Sequence, residues 1–431
     1  MSFKKLKEKI KKKKVKVGII GLGYVGLPLA VEFAKNGVEV TGIDVSEDKI
    51  KKLKSGKSYI QDVSSKDVKN LVEKKLLKPT GSFKTIKNLD AVIICVPTPL
   101  RKSRDPDLSF IVDASERVAK NLSSHTLVIL ESTSYPGTTR EILVPNLEKK
   151  GFKTGRDVFV VFSPERVDPG NKVYKIKNTP KVVGGINKDS VRLAADLYSH
   201  IVEAVVIVNS CEEAEMVKLL ENTFRAVNIG LVNELTLLCD KFNLDIWNII
   251  RAAATKPFGY MPFYPGPGLG GHCLPIDPQF LSWKAKTSQF YPHFIDYAEE
   301  INRTMPGFVV GKINYVLNEL KKSVNGSKIL IMGVSYKKNV GDTRESPCIE
   351  IVKQLNNLNA KLYYSDPYVR RFMDVKRIPI SKIDFSKYDC TVIVTDHDRF
   401  DYQKIVDKSN AVVDCRGVTL DLKGKSKIVR I

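Results

Sequence analysis

Residues 266–278 read GPGLGGHCLPIDP and set one cysteine, Cys273, among four glycines and three prolines, where neither a helix nor a central strand can run. A thiol on such a loop can approach a substrate carbon, and it becomes nucleophilic where cations or N–H groups stabilise the thiolate. Asp277, four residues on, is placed to orient a water or a base, whereas His272 need not point the same way as its neighbour. The rival thiol is Cys211, near a helix start in NSCEEAE, but Glu212 and Glu213 oppose thiolate formation there. In the helix that follows, Lys218 and Asn222 stand four residues apart and so share a face. An ammonium and an amide placed together suit an oxyanion or a proton-carrying water.

Gly266, Gly268 and Gly271 imitate the spacing G-x-G-x-x-G, but FYP precedes them and PIDP follows, so no strand feeds the loop and no helix leaves it. Gly21, Gly23 and Gly26 meet the test that this copy fails. In VKVGIIGLGYVGLPLAVEFAKNGVEVTGID they follow an apolar strand and open a helix whose first turn, with Val25, can receive a pyrophosphate. Asp44 ends the next strand, 18 residues beyond Gly26, where a carboxylate accepts ribose hydroxyls. A ribose phosphate would be repelled, so NAD is expected rather than NADP, with Lys49 beside it as a further contact.

The elements that must position these residues form a clear rhythm. VKVGII, VEVTGID, AVIICVP, TLVILES, VFVVFSP and KVVGGI alternate with helical patterns, as in a doubly wound parallel sheet. From about 211 the rhythm gives way to some 30 residues of helical spacing, roughly 45 Å at 1.5 Å per residue. Such a helix joins two domains and offers a face to a second subunit. A second strand series, KILIMGVSY, KLYYSDP, TVIVTDH and AVVDC, completes an α/β, helical, α/β order. The expected fold is two Rossmann-like doubly wound domains joined by a long central helix and a helical dimerisation region. Its expected bounds are a basic tail at 1–14, a dinucleotide domain at 15–210, a central domain with the cysteine loop at 211–324 and a last α/β domain at 325–431.

Composition narrows the function classes. With 43% hydrophobic and 27% charged residues the chain is globular, and no apolar run is long enough to span a membrane. The formal charge of +22 invites a nucleic-acid reading, yet eight lysines against one glutamate fall within the first 14 residues. A solvated tail explains them, and nucleic acid is not an expected partner. The N-terminus lacks the apolar segment of a signal peptide, so a cytoplasmic location is expected. The seven cysteines include no C-x-x-C pair, which argues for reduced thiols and no structural metal.

Taken with the glycine loop, Lys218, Asn222 and Cys273, the chain resembles the UDP-glucose/GDP-mannose dehydrogenase family from about residue 15 to 418. The resemblance implies oxidation of the C6 alcohol of a nucleotide sugar to a carboxylate with two NAD⁺. Cys273 would attack the intermediate aldehyde, giving a thiohemiacetal, then a thioester that water cleaves. By motif, STSYPGTT puts Thr133 beside the nicotinamide, VPTP puts Thr98 near NAD, and SPERVDPGN provides Glu165 for hydrolysis or proton transfer. Lys218 and Asn222 would stabilise the oxyanion, with Asp277 assisting through water. FYPGPGLGG, with Tyr264 and Gly270, resembles the loop that wraps the sugar nucleotide. GVSYKKNVGDTRESP implies Lys337 at the substrate diphosphate and Arg344 at the cofactor, and VVDCRG brings Arg416 to the uridine side.

Two departures from the UDP-glucose pattern bear on the sugar. That pattern reads C-x-P-K-D where this chain has Ile276, and P-E-F-L where it has Pro164-Glu165-Arg166-Val167. Both resemble the branch acting on 2-acetamido sugars, and the cysteine loop is similar to that of UDP-N-acetylglucosamine 6-dehydrogenases. UDP-N-acetylmannosamine is the alternative substrate, and UDP-glucose a more distant one. Two other classes stay open: a two-electron hydroxyacid dehydrogenase of the same layout, and a non-catalytic nucleotide-binding scaffold.

Overall fold

The computed structural model describes residues 2–60, 62–168, 170–171 and 173–431. They fall into two compact units, Met1–Glu221 with Gln279–Ser288, and Asn222–Pro278 with Gln289–Ile431.

The first unit is built on strands β1 (Lys16–Ile20), β2 (Glu39–Ile43), β3 (Leu77–Thr80), β4 (Ala91–Ile94), β5 (Thr126–Leu130), β6 (Val158–Phe162), β7 (Lys181–Gly185) and β8 (Val205–Ile207). Their order across the sheet is β3, β2, β1, β4, β5, β6, β7, β8. β4, β5 and β6 are buried along their whole length, which is why they read as unbroken apolar runs rather than alternating ones. The expected parallel sheet holds with one exception: β6 and β7 pair antiparallel. No helix lies between them among the described residues, and a parallel return needs such a crossover.

The expected solvated tail is instead a helix, Phe3–Lys11, packed on the first unit. Leu6 and Ile10 are fully buried in its core, because Phe3, Leu6 and Ile10 recur at helical spacing between the lysines. Phe3 meets the Phe159 ring at 5.5 Å, and Lys9 Nζ reaches Asp90 Oδ1 at 2.7 Å.

The second unit carries β9 (Lys328–Met332), β10 (Lys361–Ser365), β11 (Lys376–Arg377), β12 (Cys390–Ile393), β13 (Ala411–Asp414) and β14 (Lys427–Arg430). They form a sheet ordered β11, β10, β9, β12, β13, β14, parallel throughout. The helix His293–Glu319 lays Val309, Ile313 and Val316 into the same core. The helix Cys211–Lys241, 31 residues long, runs from one unit into the other and has the length expected from its apolar spacing. Among the described residues no helix is long and apolar enough to cross a membrane.

Candidate active site

The glycine loop between β1 and the helix Gly26–Lys35 is shaped by what its glycines leave out. Gly21 has φ +89°, and a Cβ on Gly26 would lie 1.9 Å from the Gly21 carbonyl oxygen, so neither position tolerates a side chain. A Cβ on Gly23 would meet nothing within 4 Å, so that residue borders open space at the helix N-terminus beside half-buried Val25. Asp44, buried at the end of β2, accepts from Leu22 N at 2.8 Å, Ser46 N at 2.9 Å and Lys49 Nζ at 3.0 Å. A carboxylate takes about four hydrogen bonds, so Asp44 keeps room for a ribose hydroxyl, more if the half-exposed Lys49 swings aside. The loop therefore fits a dinucleotide. Thr98 is buried just beyond β4 and Thr133 half-buried beyond β5, both at the strand ends where parallel sheets bind nucleotides.

The second sheet repeats the device and closes it. Gly333 follows β9 with φ +78°, and Asp366 follows β10 as Asp44 follows β2. Asp366 accepts from Val334 N at 2.9 Å, Tyr368 N at 2.8 Å, Val369 N at 2.9 Å and His397 Nε2 at 3.0 Å. All four acceptor positions are thereby taken by protein donors. His397 is fully buried, and its Nδ1 accepts from Asn339 N at 2.9 Å, which holds the turn carrying Tyr336 and half-buried Lys337.

Glu165 and Lys218 are brought together in the first unit: Lys218 Nζ donates to the Glu165 main-chain oxygen at 2.8 Å. The Glu165 carboxylate is buried, with Oε1 accepting from Arg166 N at 2.8 Å and Val167 N at 2.7 Å. Its Oε2 meets Lys181 Nζ at 3.1 Å, and Lys181 also meets Glu131 Oε1 at 3.0 Å. Burial pushes the Glu165 carboxyl up, but the Lys181 charge and the Val167 N–H outweigh it and hold the group below the usual range. Pro169 of the same sequence motif lies outside the described residues.

A further buried carboxylate, Glu215, carries no distinguishing signal in the sequence. Glu215 sits one turn before Lys218 and accepts from Gly137 N at 2.6 Å, Thr139 N at 2.8 Å and Thr139 Oγ1 at 2.7 Å. It thus fastens the segment that carries Thr133 to the long helix.

In the second unit Asn222 Nδ2 donates to Asp277 Oδ2 at 2.5 Å, and Arg225 Nη2 donates to the Asn222 side-chain oxygen Oδ1. Asp277 opens the helix Asp277–Thr287, and its N–H donates to the Cys273 carbonyl oxygen at 2.8 Å. Cys273 is half-buried, whereas the other six cysteines are buried. Burial pushes up the thiols of Cys95, Cys211, Cys348, Cys390 and Cys415, Cys211 to about 12 with Glu215 and Glu212 adding to the effect. Burial and the Arg344 charge together lower the His272 pKa.

The glycines around Cys273 serve close packing more than looseness. A Cβ on Gly270 would lie 2.7 Å from Tyr336 Cβ, and one on Gly271 would strike the Tyr336 ring at the same distance. Gly271 N donates to the Arg344 carbonyl oxygen at 3.1 Å. Arg344 itself is gripped by Asp342, with Nη2 to Oδ2 at 2.6 Å. Arg416 donates from Nε to the Val394 carbonyl oxygen at 2.9 Å, and a Cβ on Gly266 would lie 3.0 Å from its Nη1. Tyr264 is exposed and stacked on Trp247 at 6.2 Å. Ile276 is buried, so a lysine would not fit its place unchanged.

Comparison with known proteins agrees along the chain. The NAD binding, central and UDP binding domains of the UDP-glucose/GDP-mannose dehydrogenase family match residues 15–202, 212–304 and 330–421. A UDP-N-acetyl-D-glucosamine 6-dehydrogenase of Salmonella typhi is 36% identical over 392 residues, 90% of this chain and 91% of that one. A UDP-N-acetyl-D-mannosamine dehydrogenase of Methanococcus maripaludis is 38% identical over 393 residues, 89% of this chain and 87% of that one. The solved structure of the UDP-D-ManNAc dehydrogenase of Pyrococcus horikoshii superposes with a TM-score of 0.85 at 33% identity, covering 95% of this chain and 98% of that one.

Proposed function

Because this chain belongs to the UDP-glucose/GDP-mannose dehydrogenase family of NAD-dependent UDP-sugar dehydrogenases, we propose that it oxidises the C6 alcohol of a UDP-N-acetylhexosamine to the uronate. UDP-N-acetylglucosamine is the substrate this reading favours. The observation that carries it is Cys273, a half-buried thiol among six buried ones, on a loop followed at once by the Asn222–Asp277 pair. A single alcohol oxidation needs no thiol; oxidation of an aldehyde to an acid uses one.

NAD⁺, when bound at Gly21, Gly23, Val25 and Gly26 with Asp44, Lys49, Thr98, Thr133 and Arg344 as further contacts, supplies a hydride acceptor twice per turnover. The balance is RCH₂OH + 2 NAD⁺ + H₂O giving RCOO⁻ + 2 NADH + 3 H⁺. After the first oxidation the Cys273 thiolate forms a C–S bond to the aldehyde carbon. The thiohemiacetal loses the second hydride and becomes a thioester, and water then displaces the sulfur. Lys218 and the second N–H of the Asn222 amide stabilise the oxyanion, while Asp277 orients water and Glu165 takes its proton. Lys337 and Arg416 hold the diphosphate and uridine, with Tyr264 and Gly270 closing over the sugar. In this reading the dinucleotide domain runs 15–210, the central domain 211–324 and the UDP-sugar domain 325–431.

Ile276 in place of lysine supports a 2-acetamido sugar; the Salmonella relative supports the glucosamine epimer, and the Methanococcus relative UDP-N-acetylmannosamine as the second reading. A homodimer belongs to the proposal as well. Leu220, Phe224, Leu231, Leu235 and Leu238 are all exposed along one stripe of the long helix, an apolar face of the kind subunits bury. The deciding assay measures NADH and acid formed from a panel of UDP-sugars with NAD⁺ and NADP⁺. Two NADH per UDP-N-acetylhexosamine are expected; one NADH per substrate, or no turnover with any UDP-sugar, overturns the reading.

A further inference from the structure

We propose that Lys181 is a positioning residue for the reaction: its ammonium, inserted between Glu131 and Glu165, orients the Glu165 carboxylate and compensates its charge for the hydrolytic step. This rests on the assignment of Glu165 as the group that takes the proton from water.

Lys181 opens β7, and its side chain is only 7% exposed. Burying an ammonium is costly unless it is paired and hydrogen-bonded. Here two carboxylates meet it, Glu131 at 3.0 Å and Glu165 at 3.1 Å, so the trio carries one more acid than base. The surroundings decide which acid keeps the charge. Glu165 has two main-chain N–H donors on Oε1 and the Lys218 ammonium at its own carbonyl oxygen. Glu131 is fully buried and receives the Tyr198 hydroxyl, with Cys95 Sγ 3.9 Å from Oε2. Burial pushes the Glu131 carboxyl up, whereas the donors around Glu165 hold its carboxyl below the usual range, so Glu165 is the one of the two that gives up its proton more readily.

The same contacts fix direction. Two N–H groups and one ammonium occupy three of the roughly four acceptor positions of the Glu165 carboxylate, which leaves one for water. The groups facing Lys181 and Glu165 are Cys95 after β4, Glu131 after β5, Tyr198 with its ring 5.2 Å from Lys181 Nζ, and Lys218 on the long helix. The neighbouring Arg166 guanidinium turns instead to Glu221 and the Pro180 carbonyl oxygen. Lys181 is thus the ammonium seated on the carboxylate oxygens themselves.

The test is the pH dependence of acid release in a single turnover, measured with NAD⁺ affinity and thermal unfolding for wild type, Lys181→Met and Lys181→Arg. Removing the ammonium leaves a buried carboxylate less compensated, so its acid limb is expected to move to higher pH by about one unit or more, costing about tenfold in rate on that limb. Lys181→Arg is expected to restore the limb, and NAD⁺ affinity to stay unchanged throughout. A Lys181→Met enzyme that melts lower but keeps the wild-type limb overturns the proposal. Should Lys181→Met not fold, Glu131→Gln serves: it removes the carboxylate that shares Lys181 with Glu165 and opposes its charge, so the limb is expected to move to lower pH, and an unmoved limb overturns the proposal. Glu165→Gln separates the two levels. Full activity of that variant removes the role of Glu165, and with it this inference. An inactive Glu165→Gln beside an unmoved limb in Lys181→Met removes only the role of Lys181.

Discussion

Asn222 donates to Asp277 at 2.5 Å, so the side chain assigned to the oxyanion and the one assigned to the water are parts of one buried hydrogen-bonded pair. Neither can be changed alone. Asn222→Ala is expected to lower kcat by roughly a hundredfold, as loss of an oxyanion donor does. It is also expected to cost about 1–3 kcal/mol of stability, because a buried carboxylate loses one of its partners. Stopped-flow NADH formation and chemical denaturation on the same preparation check both; a stability loss with unchanged kcat refutes the catalytic part.

Cys273→Ala and Cys273→Ser are expected to bind NAD⁺ as wild type does and to release no acid. A fluorescence titration with NAD⁺ and mass-spectrometric detection of the uronate are the measurements. Acid formed at the wild-type rate would rule out the covalent route.

Glu215 makes stability depend on pH in a stated direction. Burial raises its carboxyl from 4.5 to about 7, against the opposing hydrogen bonds of Thr139 and Gly137. The folded state therefore holds its proton more tightly than the unfolded state. This contribution is complete below about pH 4.5 and is lost as the pH rises to about 7. Denaturation of wild type and Glu215→Gln across that window is expected to show wild type losing stability relative to the variant as the pH rises. Parallel curves would contradict it.

Leu6→Ala is expected to destabilise the first unit by about 2–5 kcal/mol, the usual result of emptying a filled core position. Turnover at 25 °C by the folded fraction should not change. Urea denaturation with and without the substitution decides it, and a change under about 0.5 kcal/mol would match a solvated segment instead.

The sequence made the first nucleotide loop plain because strand, glycines, helix, strand and acid must all occur in order, and each leaves its own mark on residue type. The long helix was legible for a similar reason, its apolar spacing persisting for thirty residues. What stayed hidden shares a physical cause: a charged residue looks the same whether solvated or buried. Lys181 before a run of valines reads as a strand end meeting water, and Glu215 as one acid of an exposed EEAE run. The helix Phe3–Lys11 was masked by its lysines, although Phe3, Leu6 and Ile10 held the signal. The antiparallel turn of β7 could have been read from the Pro/Gly-rich stretch before it, too irregular for a crossover helix.

His397 fills the last acceptor position of Asp366, whereas Asp44 has one to spare. Under the proposed reaction the chain thus has one berth for a coenzyme that must call twice. The half-oxidised sugar has to wait through a change of occupant, and a free aldehyde would drift away during that interval. A covalent mooring at Cys273 turns the wait from a leak into a delay, so the pace of the enzyme is set by how fast the berth empties as much as by how fast bonds change.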